Sequence, residues 1–153
     1  FLPDTDRHRN LPCSALDFRW MDEVDRAAPV FITAAGLFMY LQENDVRRLL
    51  AAIAERFPTC RMVFDVIPEV FSARTRQGYW KTPHYKVPPM PWGLNRSRLQ
   101  TLRTWHPNIA EVRELPWTAG RGFVFGVLFP MLRALPVTRE WSMAFVELTC
   151  RPG

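Results

Sequence analysis

The sequence is poor in cysteine and lacks the residue patterns that mark metal and nucleotide sites. Its three cysteines, Cys13, Cys60 and Cys150, are far apart, with no CxxC pair and no Cys/His cluster. The spacing therefore predicts no zinc site, and free thiols of this kind fit a reducing cytoplasm. P-loop, EF-hand, HExxH and GxSxG strings are also absent, which argues against those classes of phosphate, calcium, zinc and serine-nucleophile sites.

Long apolar runs are absent as well. The longest are much shorter than the roughly 20 residues of a membrane span, so no membrane partner is expected. The N-terminal stretch FLPDTDRHRN has no apolar core of a signal peptide. The chain starts at Phe1 rather than at a methionine, so we expect the natural start to lie elsewhere.

The charge balance is basic but not patterned. The formal charge is +5, and the Lys and Arg residues are spread along the chain without a block of five or six. A nucleic-acid interface is therefore not expected, although salt-dependent retention on DNA would reopen that possibility. A hydrophobic share of 48% over 153 residues predicts one folded domain with a real core.

The segment from Pro29 to Pro68 predicts one βαβ unit. Pro29–Ala34 is apolar and β-branched, as in a strand buried on both faces, and Ala35–Gly36 permits a tight turn. Asn44–Phe57 carries an apolar stripe at helical spacing and is followed by Pro58. Arg61–Ile67 is the next apolar strand. Ligands of open α/β sheets bind at the elbow after such a first strand.

The remaining elements are predicted with weaker patterns. We expect a strand at Leu11–Leu16, a long Pro-rich and aromatic loop at Glu69–Leu94, a short helix at Arg96–Trp105, a strand at Ile109–Leu115, an apolar helix at Gly122–Leu135 bent at Pro130, and a strand at Trp141–Cys150. A loop as long as Glu69–Leu94 inside a compact domain usually forms a binding segment or a lid.

Four strings resemble a known family. FITAAGLFMYLQENDVRRLL, RMVFDVI, PWGLN and WSMAFVELTC are similar to the leucine carboxyl methyltransferase-like family, and most similar to its bacterial branch of polyketide-type O-methyltransferases. These are class I S-adenosylmethionine (SAM)-dependent methyltransferases. The resemblance covers Leu11 to Cys150. It implies an α/β fold, namely part of a Rossmann-like methyltransferase sheet with a terminal antiparallel hairpin.

On that template the first two strands, with their glycine-rich cofactor turn, are missing from the sequence. Leu11–Leu16 resembles the third strand, Pro29–Ala34 the fourth and Arg61–Ile67 the fifth, while the last two predicted strands form the hairpin. Residues 1–153 would be the C-terminal part of one methyltransferase domain. The fourth strand would then have an open edge, so we expect the chain not to fold stably alone. A cooperative circular dichroism melt of the 153-residue polypeptide would contradict this.

The resemblance also implies cofactor-binding residues. Asp17 matches an aspartate that binds the adenine amino group of SAM, with Phe18 beside the ring; the alternative is an N-cap before a helical turn. Ala35 and Gly36 occupy the elbow after the fourth strand, where family members often carry Glu or Gln at the position of Ala35; the alternative is a packing turn. We expect Asp17 and Gly36 to line one crevice, and we interpret Asp65, inside an apolar strand, as structural.

The acceptor side is assigned to residues 69–94, the predicted acceptor-site loop or lid. Candidate substrate-binding residues are Tyr40, Trp80, Lys81, Tyr85 and Trp92. His84 could remove the proton of a hydroxyl acceptor, whereas Lys81, Arg74 or Arg76 could orient a carboxylate acceptor, which needs no base. The alternative for each is decoration of a mobile loop, and for Tyr40 a core position with a wet hydroxyl.

The sequence therefore predicts a cytoplasmic SAM-dependent O-methyltransferase of secondary metabolism, acting on a hydroxyl or carboxyl oxygen of a small molecule, without a metal. The partner would be the small-molecule acceptor, and a homodimer stays open. The alternative is a non-catalytic α/β remnant or partner-binding module.

Overall fold

The structure is a computed structural model that describes residues 3–116 and 142–151. Four strands form one sheet: β1 (Val30–Ala34), β2 (Cys60–Val66), β5 (Ile109–Leu115) and β6 (Ala144–Cys150). Strands β3 (Trp80–Thr82) and β4 (Tyr85–Lys86) form a separate hairpin. The helices are α1 (Glu43–Arg56) and α2 (Glu69–Arg76), with 3₁₀-helices η1 (Phe18–Glu23), η2 (Phe38–Tyr40) and η3 (Arg96–Trp105).

The predicted βαβ unit is confirmed. β1 and β2 pair in parallel, with Val30 opposite Cys60 and Ala34 opposite Phe64. Helix α1 connects them and buries one stripe, formed by Val46, Leu49, Leu50, Ile53 and Ala54. Glu43 and Asp45 lie in its first turn, where the unpaired backbone N–H groups favour negative charge.

The predicted terminal hairpin is also confirmed. β6 pairs antiparallel with both β2 and β5, so the order is β1-β2-β6-β5. A parallel pair next to an antiparallel pair agrees with the terminal hairpin that the resemblance implies. The result is an α/β fold with a mixed sheet, in which β1 lies at one edge of the described strands and Phe31 is 62% exposed.

One face of the sheet forms the core. Because side chains alternate along a strand, Met62, Phe64 and Val66 of β2 share a face with Val146 and Leu148 of β6, and all five are buried. Helix α1 and η3 supply the other half of this apolar layer. Full burial of one such side chain contributes about 1.5–3 kcal/mol, so this layer fixes the sheet against the helices.

The opposite face carries a buried carboxylate. Glu147 on β6 is 2% exposed and accepts hydrogen bonds from Arg61 on β2 and from Arg113 on β5. The side chains of the two arginines are themselves more than half exposed. Hydrogen bonding from Arg113, followed by that from Arg61, holds the pKa of Glu147 below its usual range. This bridge links three strands across the sheet.

The strand predicted at Leu11–Leu16 is wrong. These residues form turns, with the Asp17 N–H donating to the Ser14 carbonyl and the Leu16 N–H to the Ser14 hydroxyl. A strand needs a neighbour for its backbone hydrogen bonds, and no strand of the described ranges lies beside this segment.

The loop predicted over Glu69–Leu94 is wrong over residues 69–86, which contain α2 and then the β3–β4 hairpin. The sequence pattern did not predict helix α2, because the helix buries polar side chains and exposes an apolar one. Its buried side chains are the polar Ser72 and Thr75, while Val70 is 51% exposed. Hydrogen bonds make this burial tolerable: the Ser72 hydroxyl donates to the Met90 carbonyl, and the Met90 N–H donates to the Thr75 hydroxyl.

Three predicted elements agree with the structure within a few residues: the helix at Arg96–Trp105, which is 3₁₀, and the strands at Ile109–Leu115 and Trp141–Cys150, the last of which begins at Ala144. The helix predicted at Gly122–Leu135 lies outside the described residues, as does Trp141.

The Glu147 bridge predicts an asymmetry between its partners. Glu147→Gln should lower the free energy of unfolding of the full-length protein by about 1–2 kcal/mol, because water can solvate the half-exposed arginines once the charge is gone. Replacing both Arg61 and Arg113 by Ala should cost more, because it leaves a buried carboxylate without a partner. Urea denaturation at pH 7 measures both, and an equal or smaller loss in the double variant would contradict the prediction.

The same bridge should make stability depend on pH. Since the pKa of Glu147 is lowered in the folded state, its contribution is present above the unfolded value of about 4.3 and is lost as the pH falls through the folded pKa. The difference in unfolding free energy between the wild type and Glu147→Gln, measured by urea denaturation, should therefore shrink as the pH falls below about 4.3 and through the lower pKa of folded Glu147.

Candidate functional site

The turn after β1 is held by a residue of the neighbouring strand. Gly36 has φ +63°, a left-handed conformation that glycine adopts without strain. Its N–H donates to the Asp65 carboxylate at 2.7 Å. A Cβ built on Gly36 would meet no atom of residues 3–116 and 142–151 within 4 Å, so these residues leave the turn open. A ligand could therefore approach the backbone at this point.

A second segment lies across the carboxyl ends of β1 and β2. The Trp92 N–H donates to the Met39 carbonyl at 3.3 Å, and the Leu94 N–H donates to the Ile67 carbonyl at 2.8 Å. Between them, a Cβ on Gly93 would come within 2.9 Å of the Pro68 carbonyl oxygen. Only glycine allows the two backbones to approach this closely. The segment thus closes over the ends of both parallel strands.

A cavity of about 370 Å³ lies between this segment and the helices. Glu43 comes from the start of α1, and Glu69 from the start of α2. The remaining lining residues are Ser72 and Arg76 of α2, Pro91 to Leu94, and Arg98, Thr101 and Trp105 of η3. Helices that follow parallel strands begin at the carboxyl edge of the sheet, so the cavity opens at the edge where α/β proteins bind ligands. Its volume is at the low end of the roughly 300–1,000 Å³ of ligand pockets.

Aromatic rings connect the cavity to the core. The Trp92 ring lies 6.1 Å from the Phe38 ring and 6.4 Å from the Trp105 ring, and Phe38 packs on Phe64 of β2 at 4.9 Å. Trp92 is only 3% exposed. These packed rings fix the wall of the cavity, whereas its charged groups are more exposed.

The charged groups of the cavity differ in their partners. Arg98 and Glu69 form an ion pair at 2.7 Å. For Glu43 and Arg76, no ion pair is formed within the described ranges. Arg74, two residues before Arg76, instead stacks over the Tyr79 ring at 4.5 Å. Arg76 is therefore the arginine of α2 that lines the cavity and forms no ion pair with a described residue.

Asp17 adopts the alternative role given for it, the N-cap of a helical turn. It is the N-cap of η1, and its carboxylate binds the Arg19 guanidinium at 2.6 and 2.8 Å. Hydrogen bonding from the Arg19 side chain lowers the pKa of Asp17 to about 2. The Phe18 ring lies 6.0 Å from the Arg48 guanidinium of α1. Asp17 and Gly36 do not line the cavity described above.

Of the five candidate substrate-binding residues, Trp92 alone lines the cavity, together with Arg76, one of the three cations expected to orient a carboxylate. Tyr40 in η2 is 45% exposed. The other three, Trp80, Lys81 and Tyr85, belong to the exposed β3–β4 hairpin. His84 lies in the turn of this hairpin, where its N–H donates to the Thr82 hydroxyl at 3.3 Å. The structure thus separates the hairpin residues from the cavity lining.

Several cavity residues were missed by the sequence analysis: Glu43, Glu69, Ser72, Arg98, Thr101 and Trp105. Arg76 was named, as one of three cations that could orient a carboxylate. A signal for the two glutamates existed, because each opens a helix directly after a parallel strand. No local signal marks the η3 residues, which reach the cavity only through the tertiary fold.

Within residues 3–116 and 142–151 no group of three His, Cys, Asp or Glu side chains could hold a metal ion. In the same ranges no helix has the length and apolar character needed to cross a membrane.

Comparison with known proteins adds a second line of evidence to the geometry. No family model matches the chain. The chain is 32% identical over 65 residues to the tetracenomycin polyketide synthesis O-methyltransferase of Streptomyces glaucescens, and the match covers 42% of this chain and 24% of that enzyme. The chain thus spans about a quarter of the length of the relative it matches. The similarity indicates a relationship to an O-methyltransferase.

Proposed function

We propose that this chain is the later part of a SAM-dependent O-methyltransferase domain that methylates a hydroxyl or carboxyl oxygen of a small molecule. The observation that carries the proposal is the strand order β1-β2-β6-β5, a parallel pair extended by an antiparallel hairpin, with a glycine turn open to solvent after β1. The similarity to an O-methyltransferase supports it. The whole-domain activity, the acceptor and the cofactor are all part of the proposal.

The residues present fit a bound SAM at the turn. The empty space above Gly36 leaves room for a ligand against the backbone, and Ala35 adds no bulky side chain. Asp17 fits less directly, because an adenine amino group would have to compete with Arg19 for its carboxylate. We assign Ala35 and Gly36 to cofactor contact, and Asp17 and Phe18 to the adenine end.

SAM, when bound, supplies a methyl group on a sulfonium sulfur. Direct transfer would form the bond between the acceptor oxygen and the methyl carbon and would break the methyl–sulfur bond with its electron pair left on sulfur, while the proton of a hydroxyl acceptor would pass to water or to a general base. The protein's main contribution to such a displacement is to align the oxygen and to exclude water. The packed Trp92 ring supplies a rigid wall of the cavity for that alignment, and Arg76 supplies a cation that could hold a carboxylate.

Calorimetric titration of the full-length protein with SAM tests the proposal. We expect a saturable heat at micromolar to millimolar SAM, and transfer of a labelled methyl group to one or more members of a panel of small phenols and carboxylic acids. No heat at millimolar SAM would contradict the proposal and favour the alternative, an α/β module without catalysis.

Arg76 allows a test of the acceptor assignment. Arg76→Ala should raise the KM for a carboxylate acceptor by about tenfold or more, because a charge-assisted hydrogen bond is lost from the cavity. Arg74→Ala is the matched control, since Arg74 lies on the same helix but stacks on Tyr79. Initial rates of label transfer measure both. Equal effects of the two variants would contradict a specific role for Arg76, and a loss of turnover in His84→Ala would place the acceptor at the hairpin instead.

A further inference from the structure

Asp65 is a buried carboxylate in a strand that is otherwise apolar. It is 5% exposed, and its neighbours Phe64 and Val66 are each 1% exposed. A buried carboxylate is costly unless hydrogen bonds or opposite charges compensate it. The compensation found for Asp65 is the Gly36 N–H, at 2.7 Å, from the turn after the adjacent strand.

Glu147 is a structural carboxylate on the same face of the sheet, with which Asp65 can be compared. It lies opposite Val63, two residues before Asp65, and therefore on the same side of the sheet. Glu147 has two arginine partners. Among the described ion pairs, none includes Asp65. Asp65 thus acts on a backbone group at the end of the sheet, while Glu147 joins side chains in its middle.

The hydrogen bond from the Gly36 N–H to the Asp65 carboxylate fixes the orientation of the Ala35–Gly36 peptide plane. The described chain has no cis peptide bond, so the Ala35 carbonyl points away from the Gly36 N–H and hence away from Asp65. No described residue donates a hydrogen bond to that carbonyl. Within the described part of the chain, the turn therefore presents an acceptor oxygen without a donor, beside a glycine whose open side meets no atom of that part within 4 Å.

We propose that Asp65 is a positioning residue: its carboxylate holds the Ala35–Gly36 peptide so that the Ala35 carbonyl is presented to a hydrogen-bond donor of the bound cofactor. The inference rests on the proposed function for the identity of that cofactor. It assigns Asp65 a role in the site in place of the purely structural role expected from the sequence.

The test uses the full-length protein and three variants. Asp65→Ala removes the acceptor of the Gly36 N–H, whereas Asp65→Asn keeps an oxygen that can accept it. Glu147→Ala is the matched control, because it also removes a buried carboxylate from the same face. We expect Asp65→Ala to weaken SAM binding by about tenfold or more, since small misplacements at a site are costly. Asp65→Asn should recover most of the affinity, and Glu147→Ala should lower stability with little change in SAM affinity.

Two results would overturn the proposal: SAM binding by Asp65→Ala as tight as that of the wild type, or an equal loss in Glu147→Ala, which would show a general effect of stability. Amide exchange of Gly36, measured by NMR without SAM, gives a readout that does not depend on the proposed function. Faster exchange in Asp65→Ala, but not in Glu147→Ala, supports the holding role, and unchanged exchange refutes it. If the wild type does not bind SAM, the proposed function fails, and the exchange result alone decides whether Asp65 holds the turn.

Discussion

The hydrogen bond between the Gly36 N–H and the Asp65 carboxylate joins the carboxyl ends of two parallel strands. β1 has five residues and, among the described strands, pairs only with β2. The chain leaves β1 through this turn, passes through η2 and enters α1. The Met39 carbonyl, which η2 places, in turn receives the Trp92 N–H. A change in the turn would therefore move one wall of the cavity, even though neither Gly36 nor Asp65 lines it.

The elements that the sequence predicted correctly are those whose pattern is local. The apolar run of β1 and the stripe of α1 each follow from residues close together in the chain, and Pro58 marks the end of the helix. The strand order needed the family resemblance as well, because periodicity alone does not say which strands pair. Leu11–Leu16 shows the limit of a local pattern, since an apolar run forms turns where no described strand pairs with it.

What the sequence did not predict depends on partners distant in the chain. Ser72 and Thr75 can be buried only because residues fifteen or more positions later accept or donate their hydrogen bonds. The cavity likewise gathers residues from α1, α2, the segment at Trp92 and η3. No short stretch contains more than part of it. Apart from Tyr40, the predicted acceptor residues were drawn from one continuous segment, and of those named only Trp92 and Arg76 line the cavity.

At the carboxyl edge of the sheet, the shape of the surface depends largely on how closely backbone segments approach one another. Gly36 leaves open space above the turn, and Gly93 lets one backbone come close to another. A site of this kind has few side chains whose chemistry indicates a ligand. Ala35 itself has only its peptide groups for hydrogen bonding to one. What such a turn presents to solvent depends on the residues that fix its peptide planes. At Gly36 that residue is Asp65 on the next strand, which the sequence alone indicates as a structural carboxylate in a buried strand.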